Sequence, residues 1–269
     1  MELTARKKLI LNLLLEKGSI SVADLSRNLA VSEVTIRSDL KTLEDRGLLS
    51  RVHGGAVSSI HPHIMERQNL RLEEKQNIAR AAAALVQNGD TIMIEAGTTT
   101  ALVCRYLSGK RDIHIVTNSV LAFTAAKNNP SLRITLSGGE WRSSTESFVG
   151  SVAVDTIRRF NVRFAFVGAD GFDAKHGVTT DLLEGGEIIK VMKERAVRTI
   201  LLADSEKFNR SGPVTIMPLS QVDGIITDAR IRDNAEEELK EDIHILKIET
   251  ERDSAVVRYW FHSDSKRSV

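Results

Sequence analysis

A chain of 269 residues is long enough for one large domain or for a small domain joined to a medium one. Its 42% hydrophobic and 27% charged residues are the balance of an ordinary globular protein, and aromatics at 4% leave the core to Leu, Ile, Val and Ala. The 37 basic and 36 acidic side chains advertise no polyanionic partner for the chain as a whole; no apolar run approaches the roughly 20 residues that span a bilayer; and a single cysteine, Cys104, excludes an internal disulfide framework or a multi-cysteine zinc site.

Met1 to Lys8 lacks the basic-then-apolar order of a secretory leader, so a cytoplasmic, reduced protein without a membrane partner is expected. Helical spacing follows at Leu9, Leu13 and Leu14 and stops at Lys17-Gly18. Ser21 to Asp24 has the form of a capping box, and Val22, Leu25 and Leu29 give a short second helix one apolar face. Val31 reads as a turn residue and Ser32 as the N-cap of a third helix, which buries Ile36, Leu40 and Leu43 and ends at Gly47. Leu48 to Val52 alternates like a strand, and His53-Gly54-Gly55 is a tight-turn signal before Ala56-Val57. Three helices and a β-wing over residues 1–57, with the helix-turn-helix at about 20–39, form the order of a winged helix-turn-helix.

Turning Ile36, Leu40 and Leu43 inward leaves Glu33, Thr35, Arg37, Ser38 and Lys41 facing out, short polar or cationic groups able to reach base edges and phosphates in a major groove. The N-terminus capped by Ser32 suits a phosphate, and Arg51 and His53 sit on the wing, within reach of the DNA backbone. The candidate DNA contacts are therefore Ser32, Thr35, Arg37, Ser38, Lys41, Arg51 and His53, with double-stranded operator DNA as the partner. Nine Lys/Arg against seven Asp/Glu in residues 1–57 is a weak footprint, so the pattern carries more than the charge. One recognition helix per chain points to at least a dimer on paired half-sites.

Residues 58–76 read as a linker with some helix near its end, and His61 and His63 in it lack the carboxylates or cysteines of a metal site. An alanine-rich helix covers Asn77 to Val86. Strand-like runs then fall at Thr91 to Glu95, Ile113 to Thr117, Arg133 to Leu136, Arg163 to Val167, Thr199 to Ala203 and Gly224 to Thr227. Helical stretches lie between most of them, at Thr99 to Leu107, Val120 to Asn128, Val152 to Phe160 and Glu184 to Val197. Short apolar strands alternating with helices predict an α/β domain over 77–250 built on a doubly wound, mainly parallel sheet. A charged helix at Asn234 to Glu241 and a last strand at Ile243 to Ile248 complete it, leaving 251–269 as a C-terminal extension with a polar end.

In such a sheet, ligands bind beyond the carboxyl ends of the strands. Five of these ends carry small, hydroxyl, amide or charged residues: Glu95 to Thr100, Thr117 to Ser119, Ser137 to Glu140, Gly168 to Gly171, and Ala203 to Phe208. Gly97, Thr98, Thr99, Thr100 and Lys207 are candidate phosphate ligands, and Asn118 and Asp170 candidate partners for sugar hydroxyls. Ser119, Gly138, Gly139 and Gly171 line the same edge. A threonine-capped helix at 97–100 would look much the same, and Cys104, among Leu102, Val103 and Leu107, reads as core.

The N-terminal residues Ala23-Asp24-Leu25, Val31-Ser32, Thr35-Ile36-Arg37-Ser38-Asp39-Leu40, Leu43-Glu44, Gly47 and His53-Gly54-Gly55-Ala56 resemble the signature of the DeoR family of bacterial transcriptional regulators. The usual run there is T-I-R-R-D-L, and Ser38 replaces its second arginine, removing one DNA cation. The strand-end patterns G-T-T, T-N, S-G-G, G-A-D-G and D-x-x-K-F are similar to the effector domain of that family, which in turn looks like ribose-5-phosphate isomerase. The resemblance implies a repressor of a carbohydrate uptake or catabolism operon, a homo-oligomer (dimer or tetramer), released by a phosphorylated sugar or sugar alcohol. The alternative is a sugar-phosphate isomerase-like enzyme with an appended DNA-binding domain. The isomerase pattern is G-A-D-E followed by K-G-G-G, whereas this chain has Gly171 for the glutamate and Glu184 before Gly185-Gly186. Aldose–ketose isomerisation needs a positioned base and a group to stabilise the enediolate, so losing two charged groups predicts binding without turnover: no catalytic residue, no cofactor and no metal.

Overall fold

Thr4 opens the first helix: its hydroxyl accepts from the Lys7 amide, and α1 (Ala5–Lys17) runs to Gly18, whose φ of +69° closes the last turn. The computed structural model describes residues 3–45, 48–58, 62–231, 239, 245–250 and 256–261. After β1 (Ser19–Ser21) comes α2 (Val22–Leu29), where Ser21 and Asp24 cap reciprocally: the Asp24 amide donates to Ser21 Oγ, and Ser21 Oγ to Asp24 Oδ2 at 2.7 Å. Ala30, in the left-handed region, turns the chain into α3 (Glu33–Glu44), capped by Ser32. The wing is β2 (Leu49–Val52) and β3 (Gly55–Ser58), and β1 adds to it in the order β1-β3-β2. Gly55 is required there, because a Cβ would stand 2.4 Å from the Ile20 carbonyl oxygen. Ile10, Leu14, Leu25, Ile36, Leu40 and Leu43 fill the core, each contributing about 1.5–3 kcal/mol by its burial. Asp39, 5% exposed, fixes α3 to α1 through Arg6 and Lys7. The expected helix stop at Gly47 and His61 of the expected linker lie outside the described residues.

Where a linker with some helix near its end is expected, helix fills more of the stretch: α4 (Pro62–Asn69) precedes α5 (Leu72–Leu85), which starts before the expected Asn77 and buries Ile78, Ala79 and Ala82. Met1–Leu70 with Ser143–Thr145 form one compact unit, and Arg71–Arg142 with Glu146–Val269 a second. The second unit continues with β4 (Thr91–Ile94), α6 (Thr100–Val103), β5 (Ile113–Thr117), α7 (Val120–Ala126) and β6 (Leu132–Leu136). A hairpin of β7 (Glu140–Arg142) and β8 (Ser147–Val149) follows, then α8 (Ser151–Arg158), β9 (Val162–Val167), β10 (Gly171–Asp173) and β11 (Gly177–Thr180). The remaining elements are α9 (Leu183–Arg195), β12 (Ala196–Leu202), β13 (Val214–Met217), β14 (Gly224–Asp228), β15 (Ile245–Thr250) and β16 (Val256–Phe261).

The main sheet has the order β15-β16-β14-β12-β9-β4-β5-β6, with the six strands from β14 to β6 parallel and the last two antiparallel. The parallel strands are near-continuous apolar runs because helices cover both faces; Ile113–Thr117 is buried at all five positions. β16 lies inside the stretch read from sequence as a C-terminal extension; the charged helix expected at Asn234 to Glu241 falls largely, and the polar end at His262 to Val269 entirely, outside the described residues. A second sheet, β10-β11-β13, and the β7–β8 hairpin were not foreseen, since strands of three or four residues show too little alternation to stand out.

Candidate functional site

On α3, Ser32 and Thr35 are tied to each other: the Thr35 amide donates to Ser32 Oγ at 3.2 Å, and the two hydroxyls lie 2.9 Å apart. Arg37, Ser38 and Lys41 stand exposed on the outward face. Arg37 Nη2 lies 3.1 Å from Glu33 Oε2, one turn back, a solvent-exposed pair worth about 0–1 kcal/mol. On the wing, Arg51 and His53 are exposed, and Glu44 at the end of α3 accepts from the Arg51 backbone amide at 2.9 Å and pairs with its guanidinium at 3.2 Å. Two residues of this helix show their place only in the structure. Asp39 is the buried anchor already described, and Val34, 78% exposed, lies in the middle of the outward face.

In the second unit the chain runs β4, β5, β6 in one direction across the sheet and β9, β12, β14 in the other. The winding reverses between β4 and β9, and the crevice outside their carboxyl ends is the switch point where such sheets bind ligands. Glu95, 6% exposed, bridges it, its carboxylate accepting from the Gly168 amide at 3.1 Å. Thr98 and Thr99 are buried, and neither hydroxyl is bonded to a described residue. Thr100, expected as a phosphate ligand, instead gives its one hydroxyl proton to the loop, 2.7 Å from the Glu95 carbonyl. The expected helix from Thr99 to Leu107 is α6 alone, continued as a 3-10 turn at Cys104–Tyr106, so it brings only a short helix dipole to this edge.

One strand over, Asn118 is 1% exposed; its amide nitrogen donates to the Phe148 carbonyl at 3.1 Å, and its Oδ1 is buried without a partner among the described residues. Ser119 caps α7 by accepting from the Ala122 amide. Gly138 and Gly139 make the left-handed turn into the hairpin, and a Cβ on Gly139 would stand 2.6 Å from the Val149 carbonyl oxygen. Asp170 Oδ2 accepts from Thr180 Oγ1 and the Asp181 amide, both at 3.0 Å. Gly171, expected to line the ligand, is buried in β10 with the Arg210 carbonyl oxygen 2.2 Å from where a Cβ would be, so it serves packing. Lys207 closes a 3-10 turn, Ser205–Lys207, whose start is held by Asp228 through the Ser205 amide at 2.7 Å. The structure thus places Thr98, Thr99, Asn118 and Lys207 just past the carboxyl ends of β4, β5 and β12, while Gly97, Thr100, Ser119, Gly138, Gly139, Asp170 and Gly171 shape the loops.

Burial pushes the Cys104 thiol up to about 12, so it stays protonated and packs as core. Glu184, before Gly185-Gly186, is paired with Arg142, and the Asp173 carboxylate on β10 with His176. Among the described residues, no three His, Cys, Asp or Glu side chains are grouped to hold a metal, and no helix is long and apolar enough to cross a membrane.

Residues 6–61 match the model of the DeoR-like helix-turn-helix domain, and residues 70–229 that of the DeoR C terminal sensor domain. The chain is 35% identical to the lactose phosphotransferase system repressor of Lactococcus lactis subsp. lactis, over 90% of this chain and 97% of that protein. It is 32% identical to a putative aga operon transcriptional repressor of Escherichia coli O157:H7 (84% and 86% covered) and to the glycerol-3-phosphate regulon repressor of Escherichia coli strain K12 (85% and 92%). All three are named as repressors and none as an enzyme.

Proposed function

The chain belongs to the DeoR family of transcriptional regulators, and from that premise we propose that it represses a carbohydrate uptake or catabolism operon and leaves its operator when a phosphorylated sugar or sugar alcohol binds the crevice between β4 and β9. Unit 1 supplies the operator contact through Arg37, Ser38 and Lys41 on α3 with Arg51 and His53 on the wing, working as a homo-oligomer on paired half-sites. In unit 2, Thr98, Thr99 and Lys207 hold the phosphate and Asn118 a sugar hydroxyl.

The single observation that carries the ligand reading is Asn118 Oδ1. A buried acceptor without a partner costs about 1–3 kcal/mol, and a hydroxyl group delivered to it recovers that cost. Its position, one strand from the switch point on the same carboxyl edge of the sheet as Thr98 and Thr99, suits a polyol carrying an anionic end. Release from DNA requires that ligand and operator prefer different states, a coupling of about 1–3 kcal/mol, or roughly 5- to 150-fold in operator affinity.

The test is a thermal-shift screen of the full chain against a panel of sugar and polyol phosphates with their unphosphorylated counterparts, followed by operator release. A phosphorylated member is expected to raise Tm and to weaken operator binding, and Lys207→Met to abolish both effects while leaving operator affinity without ligand unchanged. A panel in which no phosphorylated member shifts Tm, or in which the unphosphorylated compounds act equally, overturns the reading.

A further inference from the structure

The outward face of α3 carries one apolar group, and it is the most exposed large hydrophobic side chain among the described residues: Val34, at 78%. Helical spacing puts it over the same stripe as Arg37, Ser38 and Lys41, three, four and seven residues on, opposite the buried Ile36 and Leu40. It is not among the residues packed in or against the core of unit 1, and a β-branched residue gains nothing from an exposed helix position, where its rotamers are restricted. Beside it, Glu33 holds the Arg37 guanidinium at 3.1 Å. A carboxylate at this place is repelled by DNA phosphates unless it accepts a hydrogen bond from a base edge.

These features match what a major groove displays. Its apolar landmark is the thymine C5-methyl, and its donor on a C·G pair is the cytosine N4 amine, next to the O6 and N7 acceptors of guanine. A guanidinium has five donors and a carboxylate about four lone-pair sites, so the Glu33–Arg37 pair can stay joined and still present an acceptor and donors side by side. We propose that Val34 and the Glu33–Arg37 pair set the base preference of the operator half-site: Val34 lies against a thymine methyl, and the pair reads a neighbouring C·G pair, Glu33 taking the cytosine amine and Arg37 the guanine edge. The inference rests on the reading that α3 enters operator DNA. It assigns base readout to two residues that a count of cations alone would pass over or count as repulsive.

The experiment selects duplexes from a randomised pool with the full-length parent, then measures binding at fixed salt to the selected site and to copies in which each thymine in turn is replaced by deoxyuridine, which lacks the methyl. One thymine is expected to matter, its replacement weakening the parent about fourfold, the value of one buried methyl group. Val34→Ala, a substitution at a solvent-exposed position whose folding is checked by Tm, should bind the thymine and uracil sites equally. For Glu33→Gln, replacing the C·G pair should cost about tenfold less than it costs the parent. A parent indifferent to every uracil, or a Val34→Ala variant that loses as much as the parent does, overturns the Val34 assignment. Equal discrimination by parent and Glu33→Gln overturns that of the pair. A pool with no enriched sequence overturns the DNA reading and this inference together, whereas enrichment with flat uracil and Glu33→Gln responses overturns this inference alone.

Discussion

The outward face of α3 and the carboxyl edge of the parallel sheet are both rich in polar side chains, and they use them in opposite ways. On α3 the backbone is satisfied by the helix itself, so Arg37, Ser38 and Lys41 project into solvent, available to a partner. At the sheet edge each strand-to-helix turn leaves amides and carbonyls that neighbouring side chains must satisfy. Thr100, Ser119 and Asp170 serve that need, bonding the Glu95 carbonyl, the Ala122 amide and the Asp181 amide. On a helix, exposure is enough to nominate a residue. At an edge made of loops, a neutral polar residue becomes a ligand candidate only after the loop's own donors and acceptors have been matched, and that leaves Thr98, Thr99 and the Oδ1 of Asn118 to join the charge of Lys207.

The sharpest way to break this contrast is at Gly171, which the sequence places in the ligand set and the structure places against backbone. Gly171→Ala pushes a methyl into the Arg210 carbonyl, an unyielding neighbour, and is expected to cost about 3 kcal/mol of unfolding free energy. Gly138→Ala meets no atom within 4 Å and pays only for its φ of +67°, about 1 kcal/mol. Denaturant unfolding of both checks the ranking; equal losses, or a Gly171→Ala variant as stable as the parent, would return Gly171 to the ligand set.

On the helix side, Arg37→Ala should weaken operator binding by about 1–3 kcal/mol at fixed salt, with Tm unchanged because the Glu33 pair it breaks is a surface one. A Tm loss without an affinity loss would mean that exposure on α3 does not signal availability.

Periodicity made much of this legible. Ser21 with Asp24, the Val31-Ser32 turn and the Ile36, Leu40, Leu43 stripe are local features, each fixed within one helical turn, and the six parallel strands announce themselves as apolar runs too short to be helices. What stayed hidden depends on contacts distant in sequence. Gly171 looks like a binding glycine until the Arg210 backbone is seen against it, and Thr100 looks like its neighbours until its bond to Glu95 is seen. Val34, apolar in a helix, looks like core until its position relative to Ile36 and Leu40 is seen to place it outside. Val256–Phe261 carries the β-branched and aromatic residues of a strand, a signal that was present in the sequence.

Two adjacent threonines sharpen the edge itself. Thr100→Val removes the donor to the Glu95 carbonyl and should lower stability by about 1–3 kcal/mol whether or not ligand is present. Thr99→Val should leave stability unchanged and raise the effector midpoint by about 0.5–1.5 kcal/mol, or up to about 3 if its partner is a charged phosphate oxygen. If the two variants exchanged these effects, the division between loop-holding and ligand-facing hydroxyls would be wrong.

The smallest effect lies near the amino end of the same sheet, where a polar residue is fully satisfied by its neighbours. His114, buried on β5, accepts at Nδ1 from the Arg133 guanidinium at 2.8 Å. An arginine can only donate, so Nδ1 is unprotonated and Nε2 carries the hydrogen, given to Thr135 Oγ1 at 2.9 Å. Burial first, and the Arg133 charge second, hold its pKa below the ordinary 6.5. The unfolded chain therefore binds this proton more readily than the folded one, and stability from this group is complete above about pH 6.5 and declines as pH falls from there through the folded-state value. The expected slope is shallow, and it should vanish in His114→Gln while effector binding at the opposite edge keeps its own pH dependence. Following the imidazole resonances by NMR gives the direct check. An imidazole that titrates at or above 6.5 in the folded protein would mean that the Arg133 contact does not hold His114 neutral, and that polar groups at this end of the sheet are no more self-satisfied than those at the carboxyl edge.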